Sequence, residues 1–147
     1  MISYFDTTVL LAALITKHEL HEKAKARLQL SVEGGTALTT TTHAFAELYR
    51  NISKPTSFGI HLPPAAAAEA IINGIGRLLT VVELYRADYE AAIRRCEELN
   101  LTGAVIYDAL HYQAALKGGA EVIYTDNLKD FTRLQKEGET IRVEGIR

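Results

Sequence analysis

Hydrophobic positions in this chain alternate between short continuous runs and helical spacing. Ile2 to Phe5 is a β-prone run halted at Asp6, after which Val9, Leu10, Ala13 and Leu14 recur at the period of a helix. A polar helical segment is predicted from His18 to about Leu30, then a turn at Glu33-Gly34-Gly35 and a second β-prone run from Thr36 to Thr41. His43 to about Ser53 reads as a helix. Ser53-Lys54-Pro55-Thr56-Ser57-Phe58-Gly59 is the clearest linker, and Pro63-Pro64 opens an alanine-rich helix that Gly74 and Gly76 are expected to close. Leu78 to Leu84 is a strand candidate, Asp88 to Asn100 a helix, and Val105 to Leu116 a helix ending at Gly118-Gly119. Glu121 to Thr125 is the next strand, followed by a helical Leu128 to Lys136 and an edge strand near Thr140 to Val143.

Strands separated by helical segments of this length predict an α/β fold, with a mainly parallel sheet covered by helices. The chain has 147 residues, 48% of them hydrophobic and 23% charged, so a single domain over 1–147 with one sizeable core is expected. With 16 Lys+Arg against 18 Asp+Glu, no global positive field announces a nucleic-acid binder, and any nucleic acid has to meet a local basic patch. The single cysteine, Cys96, excludes an intrachain disulfide and is expected to be a small core residue. The opening residues carry no basic lead before an apolar run, and no long apolar segment occurs; a cytoplasmic protein without membrane insertion is expected.

Ligands of open parallel sheets bind outside the carboxyl ends of the strands, which draws attention to polar residues placed there. Asp6 ends the first strand, Glu47 lies in the helix after the second, and Asp126-Asn127 follow the strand Glu121 to Thr125. Asp108 sits within Val105-Ile106-Tyr107-Asp108-Ala109-Leu110 among apolar neighbours. A carboxylate there is costly unless it is paired or binds a cation. Either His111, on the same helical face, partners Asp108, or Asp108 joins other acids around a metal ion. Glu47 has a simpler structural alternative, a helix pair with Arg50 one turn on.

Clustered carboxylates repel and are held together by a cation, and hard oxygen ligands suit Mg²⁺ or Mn²⁺ rather than zinc. His18 and His21 stand on a charged segment and are expected to face solvent, which leaves zinc without a ligand set. The chemistry natural to carboxylates with Mg²⁺ is phosphoryl transfer or phosphodiester hydrolysis.

Phe5-Asp6-Thr7-Thr8-Val9-Leu10-Leu11 resembles the opening of PIN-domain ribonucleases. The resemblance continues at Ala46-Glu47-Leu48, at Tyr107-Asp108-Ala109-Leu110-His111, and at Ile123-Tyr124-Thr125-Asp126-Asn127-Leu128-Lys129-Asp130-Phe131. It spans nearly the whole chain in order and is most similar to the VapC-type toxins. It implies a three-layer fold and a Mg²⁺- or Mn²⁺-dependent endoribonuclease, the toxin of a toxin–antitoxin pair. Asp6, Glu47 and Asp108 would hold metal and activate water, with Thr7 and Thr125 in support. The fourth acidic position of the pattern falls on Asn127, and Asp126 or Asp130 would turn inward in its place. The resemblance also implies a homodimer, and a small antitoxin whose tail enters the acidic groove.

RNA needs phosphate contacts, for which Arg50, Lys54, Arg94 and Arg95 are candidates, and Tyr49 and Phe58 could stack a base. Haloacid-dehalogenase-type phosphatases also open on an aspartate after the first strand but need a second one where Thr8 stands, and a receiver domain needs an acidic pair. The rival of another class is a degenerate PIN domain that binds RNA or protein without cutting it.

Overall fold

The structure is a computed structural model that describes residues 1–55 and 61–147. The first apolar run forms strand β1 (Ile2–Phe5), and Asp6 hands the chain to helix α1 (Thr7–Leu14). Helix α2 (His21–Glu33), strand β2 (Ala37–Thr41) and helix α3 (Thr42–Ser53) follow. Helix α4 (Pro64–Glu69) runs through a π-helical turn (Ala70–Ile75) into α5 (Gly76–Leu78), before strand β3 (Thr80–Val82). Helices α6 (Arg86–Glu98) and α7 (Val105–Lys117), strand β4 (Val122–Thr125), helix α8 (Leu128–Thr132) and strand β5 (Arg142–Gly145) complete the fold.

The strands form one sheet in the order β3-β2-β1-β4-β5, every neighbouring pair parallel, as the alternation of elements predicts. Alternate strand residues feed two cores. Phe5, Val122 and Tyr124 pack with α1 to α3 and the α4 segment on one face; Tyr4 and Ile123 pack with α6, α7 and α8 on the other. Cys96 lies in the second core, as expected of a small apolar side chain. Central strand β2 is threonine-rich where a parallel strand is usually aliphatic. Its hydroxyls are satisfied by neighbouring strands: Thr39 donates to the Ser3 carbonyl, Thr40 to that of Phe5 and Thr41 to that of Val82.

Several boundaries depart from the expected ones. Helix α2 starts at His21 because the His18 ring accepts the Leu20 N–H in a preceding turn. His21 is not solvent-facing: it is buried and its Nδ1 bonds the Ala12 carbonyl. Arg95 is buried as well, its guanidinium forked onto Glu139 at 2.7 Å on each arm, which removes it from the candidates for RNA contact. Arg94 pairs with Glu97 on the exposed side of α6. Phe58 and most of the expected linker lie outside the described residues. No described helix is long and apolar enough to cross a membrane.

Gly74 and Gly76 do not close their helix; the backbone widens into the π-turn and passes through both. A Cβ on Gly76 would stand 2.5 Å from the Ile71 carbonyl oxygen and 3.3 Å from Phe45 Cζ, so glycine is required by space, not by a cap. In an ordinary helix Gly→Ala is stabilising. Here Gly76→Ala is expected to destabilise by about 1–3 kcal/mol, which a thermal melt beside Gly74→Ala would check; an unchanged or raised melting temperature would show that the turn is not held open by the glycine.

Candidate active site

Strand order reverses at β1, whose neighbours β2 and β4 lie on opposite sides of it. The carboxyl ends of β1 and β4 therefore flank the switch point at which open parallel sheets bind ligands. Asp6 stands there as the residue before α1. Aspartate at such a position ordinarily caps the helix with its side chain, but Asp6 makes no such bond. Its Oδ2 instead accepts the hydroxyls of Thr8 and Thr125, each at 2.8 Å. Those two hydroxyls in turn accept the backbone N–H groups of Asp126 and Asn127, at 3.0 and 2.8 Å. The loop after β4 is thus tied to Asp6 through two threonines, with Oδ1 left facing His111 at 3.8 Å.

Helix α3 brings Glu47 and α7 brings His111 to the same place. His111 is 1% exposed, and its Nε2 lies 2.6 Å from Glu47 Oε1. A carboxylate only accepts, so Nε2 carries the proton, and in the neutral ring Nδ1 accepts from the buried Tyr4 hydroxyl at 2.6 Å. The Thr7 hydroxyl donates to Glu47 at 3.0 Å and meets His111 Nε2 at 3.2 Å. His43, one turn before Glu47 on α3, places its Nε2 3.6 Å from the same carboxylate.

Of the two arrangements open to Asp108, pairing with His111 does not form the hydrogen bonds: those run from His111 to Tyr4, Thr7 and Glu47. Likewise Glu47 is paired with His111, across the fold, and not with Arg50 on its own helix. Burial pushes the Asp108 carboxyl up to about 6, helped by the negative charges of Asp6, Asp130 and Glu47 and opposed by His111. Burial disfavours the charged form of His111, but the Glu47 hydrogen bond and the charges of Asp6, Glu47 and Asp108 outweigh it and raise its pKa. For Glu47, burial is outweighed by the hydrogen bond and charge of His111, with His43 and Thr7 adding to them, and its pKa is lowered. Burial lowers the His43 imidazole against the pull of Glu47.

The candidates for a fourth acid separate clearly. The Asp126 carboxylate is gripped by Arg147, Nε to Oδ1 at 2.9 Å, and the same guanidinium reaches Glu19 at 3.1 Å. Asn127 is exposed and contributes its backbone N–H. Asp130, in the first turn of α8, pairs with Arg133 at 3.5 Å, and its charge is the one of the three felt at Asp108.

Among the described residues, no three of His, Cys, Asp and Glu already stand in a metal-ligating arrangement. The donor set nevertheless fits a hard divalent cation: carboxylates from the end of β1, from α3 and from α7 feel one another's charge, His111 and His43 stand beside them, and the negative charges of Asp6, Asp130 and Glu47 add to burial in disfavouring ionised Asp108. Mg²⁺ retains waters and binds through one or two carboxylates together with substrate phosphate, so a preformed protein cage is not required.

The PIN domain family model matches residues 3–137. The chain belongs to the PIN domain family. Solved structures similar to it include VapBC2 from Rickettsia felis bound to a promoter DNA fragment, at 18% identity and TM-score 0.70, covering 99% of this chain and 98% of that one. DNA-bound VapBC from Salmonella typhimurium matches at 20% identity and TM-score 0.69, covering 100% and 99%. VapC20 from Mycobacterium tuberculosis, a Sarcin-Ricin loop cleaving toxin, matches at 20% identity and TM-score 0.63, covering 82% and 86%. No curated protein matches the chain.

This PIN domain leaves its remaining candidate phosphate-contacting residues at the surface. Arg50 on α3 and Lys54 just after it are exposed, and Arg50 lines a cavity of about 400 Å³ with His43, Glu47, Asn51 and Tyr107. Tyr49 lines an adjoining apolar groove with Phe45, Arg50, Ala68, Ile71 and Ile72. Tyr4, Thr8, His43 and Arg147 escaped sequence reasoning: Tyr4 and Arg147 act through partners distant in the chain and Thr8 through the nearby Asp6, while only His43 carries a signal, its i,i+4 spacing to Glu47.

Proposed function

We propose that this PIN domain is a metal-dependent endoribonuclease that hydrolyses RNA phosphodiester bonds, and that it is the toxin of a toxin–antitoxin pair. The observation that carries the reading is the meeting of Asp6 and Glu47 around His111 at the switch point, with the Asp108 carboxyl beside them raised to about 6 by burial and by the negative charges of Asp6, Asp130 and Glu47. Asp6, Glu47 and Asp108 would hold Mg²⁺ or Mn²⁺, which when bound orients a water and neutralises charge developing on the phosphate. Thr8 and Thr125 fix one oxygen of Asp6 and leave the other for this role, and Thr7 fixes Glu47. With Asp126 engaged by Arg147, Asp130 is the acid best placed to add charge at the rim, and Arg50 and Lys54 supply positive charge for the RNA backbone.

The resemblance of the fold to VapBC assemblies supports a small antitoxin as partner, and the proposal extends to a homodimer, a single nuclease unit over 1–147 and action in the cytoplasm. The test is incubation of purified protein, freed of inhibitor, with total cellular RNA in Mg²⁺ or Mn²⁺. Discrete products are expected from wild type with metal, and none on chelation or with Asp6→Asn, which keeps size and removes charge. Equal inertness of wild type and variant, with RNA still bound, would replace the nuclease by a non-catalytic binding module, a reading favoured by the hold of His111 on Glu47.

A further inference from the structure

We infer that His43 and Tyr107 form a stacking subsite for one unpaired nucleobase of a single-stranded RNA, beside the phosphate to be cut; the inference rests on the nuclease reading. The two rings lie parallel, with an interplanar angle of 1° and centroids 5.5 Å apart, and Tyr107 is 51% exposed. They wall the cavity of about 400 Å³ between α3 and α7 whose other residues are Glu47, Arg50 and Asn51. Helical spacing makes this a built face. His43, Glu47 and Arg50 follow one another along one side of α3, and Tyr107 precedes Asp108 directly on α7. A base held on the pair is therefore within one residue or one helical turn of two of the proposed metal-holding acids.

The chemistry favours a base over other occupants. An exposed aromatic ring already stacked on a second ring offers a π-face at small ordering cost, and base–aromatic stacking tolerates any sequence. Arg50 on the cavity wall can pair with the phosphate of a nucleotide whose base is stacked. Apolar side chains of a protein partner are better suited by the adjoining groove of Phe45, Tyr49, Ile71 and Ile72, which shares Arg50 with the cavity but is lined mainly by apolar side chains. Stacking on Tyr107 requires the base to be out of a duplex, so single-stranded or looped RNA is the substrate class.

The experiment measures binding of a fluorescent single-stranded oligoribonucleotide of mixed sequence to the Asp108→Asn protein in Mg²⁺, which spares the probe from cleavage. Tyr107→Leu in that background is expected to weaken binding by roughly 10-fold or more, and Tyr107→Phe to leave it within about twofold. An abasic residue at one position of the probe should reproduce the Leu loss and add nothing to it, since both remove the same contact. Equal losses for Leu and Phe, or additive losses with every abasic probe, would overturn stacking. A parallel titration with the peptide Arg-Gly-Arg amide covers the other chemistry that an aromatic face beside a carboxylate suits; a Tyr107-dependent peptide signal with Tyr107-independent RNA binding would assign the stack to a protein tail instead. If the parent binds RNA but ignores Tyr107, the subsite alone falls. If neither parent nor wild type binds RNA, the nuclease reading falls with it.

Discussion

Asp108→Asn is expected to abolish RNA cleavage, by on the order of 10²-fold or more, while making the metal-free protein harder to melt. The two effects share one cause. In the folded chain burial and the charges of Asp6, Asp130 and Glu47 raise the Asp108 carboxyl from 3.8 to about 6. A folded-state pKa above the unfolded one means that the favourable contribution is complete below pH 3.8 and is lost as pH rises through about 6. At neutral pH the ionised side chain is therefore a net cost, roughly 3 kcal/mol from the shift alone. Asp108 is only part-buried, and solvent screening brings the figure to about 1–2 kcal/mol.

Asparagine keeps the shape and removes the charge, so chelated Asp108→Asn should melt roughly 3–6 °C above wild type at pH 7.5 and level with it at pH 4. Adding Mn²⁺ should raise wild type and leave the variant nearly unmoved, because only wild type retains the full acid set. The same proton competes with metal, so metal affinity of wild type should fall as pH drops through 6. A variant that melts with wild type at both pH values, or that gains as much from Mn²⁺, would remove Asp108 from the acid cluster. Activity and stability opposed at one carboxylate is the signature of a residue kept for what it binds.

The frame of this site was legible from the chain because it follows local rules. An aspartate that halts an apolar run and precedes a helical period marks the carboxyl end of a strand, and Asp6 occupies that place. Asp108 betrays itself by apolar neighbours on its own helix. What stayed hidden was the wiring between elements. Glu47 finds its cation on α7 and not in the arginine one turn away, and Asp126 finds one in Arg147 beyond β5. Gly74 lies inside the π-turn at Ala70–Ile75 and Gly76 directly after it, where the Ile71 carbonyl and Phe45 leave no room for a Cβ, so a glycine that reads as a helix stop serves as a spacer. Three successive threonines in β2 are tolerated in a central strand only because carbonyls of the adjacent strands receive their hydroxyls, a match that needs the sheet order to be seen.

His111→Leu should have the largest effect on folding. Among the described residues the His111 imidazole touches both Glu47 and Asp6, whose charges favour its protonated form, and it also satisfies the buried Tyr4 hydroxyl. Leucine fills the volume but removes the 2.6 Å bonds that His111 makes to the buried Tyr4 hydroxyl and to the part-buried Glu47 carboxylate, which is left with Thr7 and His43, at about 2–4 kcal/mol. The pH dependence gives the loss a shape that packing alone would not. The raised pKa of His111 makes its contribution complete below 6.5 and lost as pH climbs through the higher folded value. The lowered pKa of Glu47 makes its contribution present above 4.5 and lost as pH falls through the folded value. The deficit of the variant should therefore be widest near pH 6 and narrow toward both sides. Mn²⁺ should shrink it near neutrality, since a divalent ion among Asp6, Glu47 and Asp108 takes over as counter-charge. Melting curves of wild type and His111→Leu across pH, with chelator and with Mn²⁺, decide the matter: a constant gap in every condition would make His111 a core residue that merely lies beside acids. A gap that peaks near pH 6 and closes with metal would make it the internal cation that lets this PIN domain fold around its own negative charge before any metal arrives.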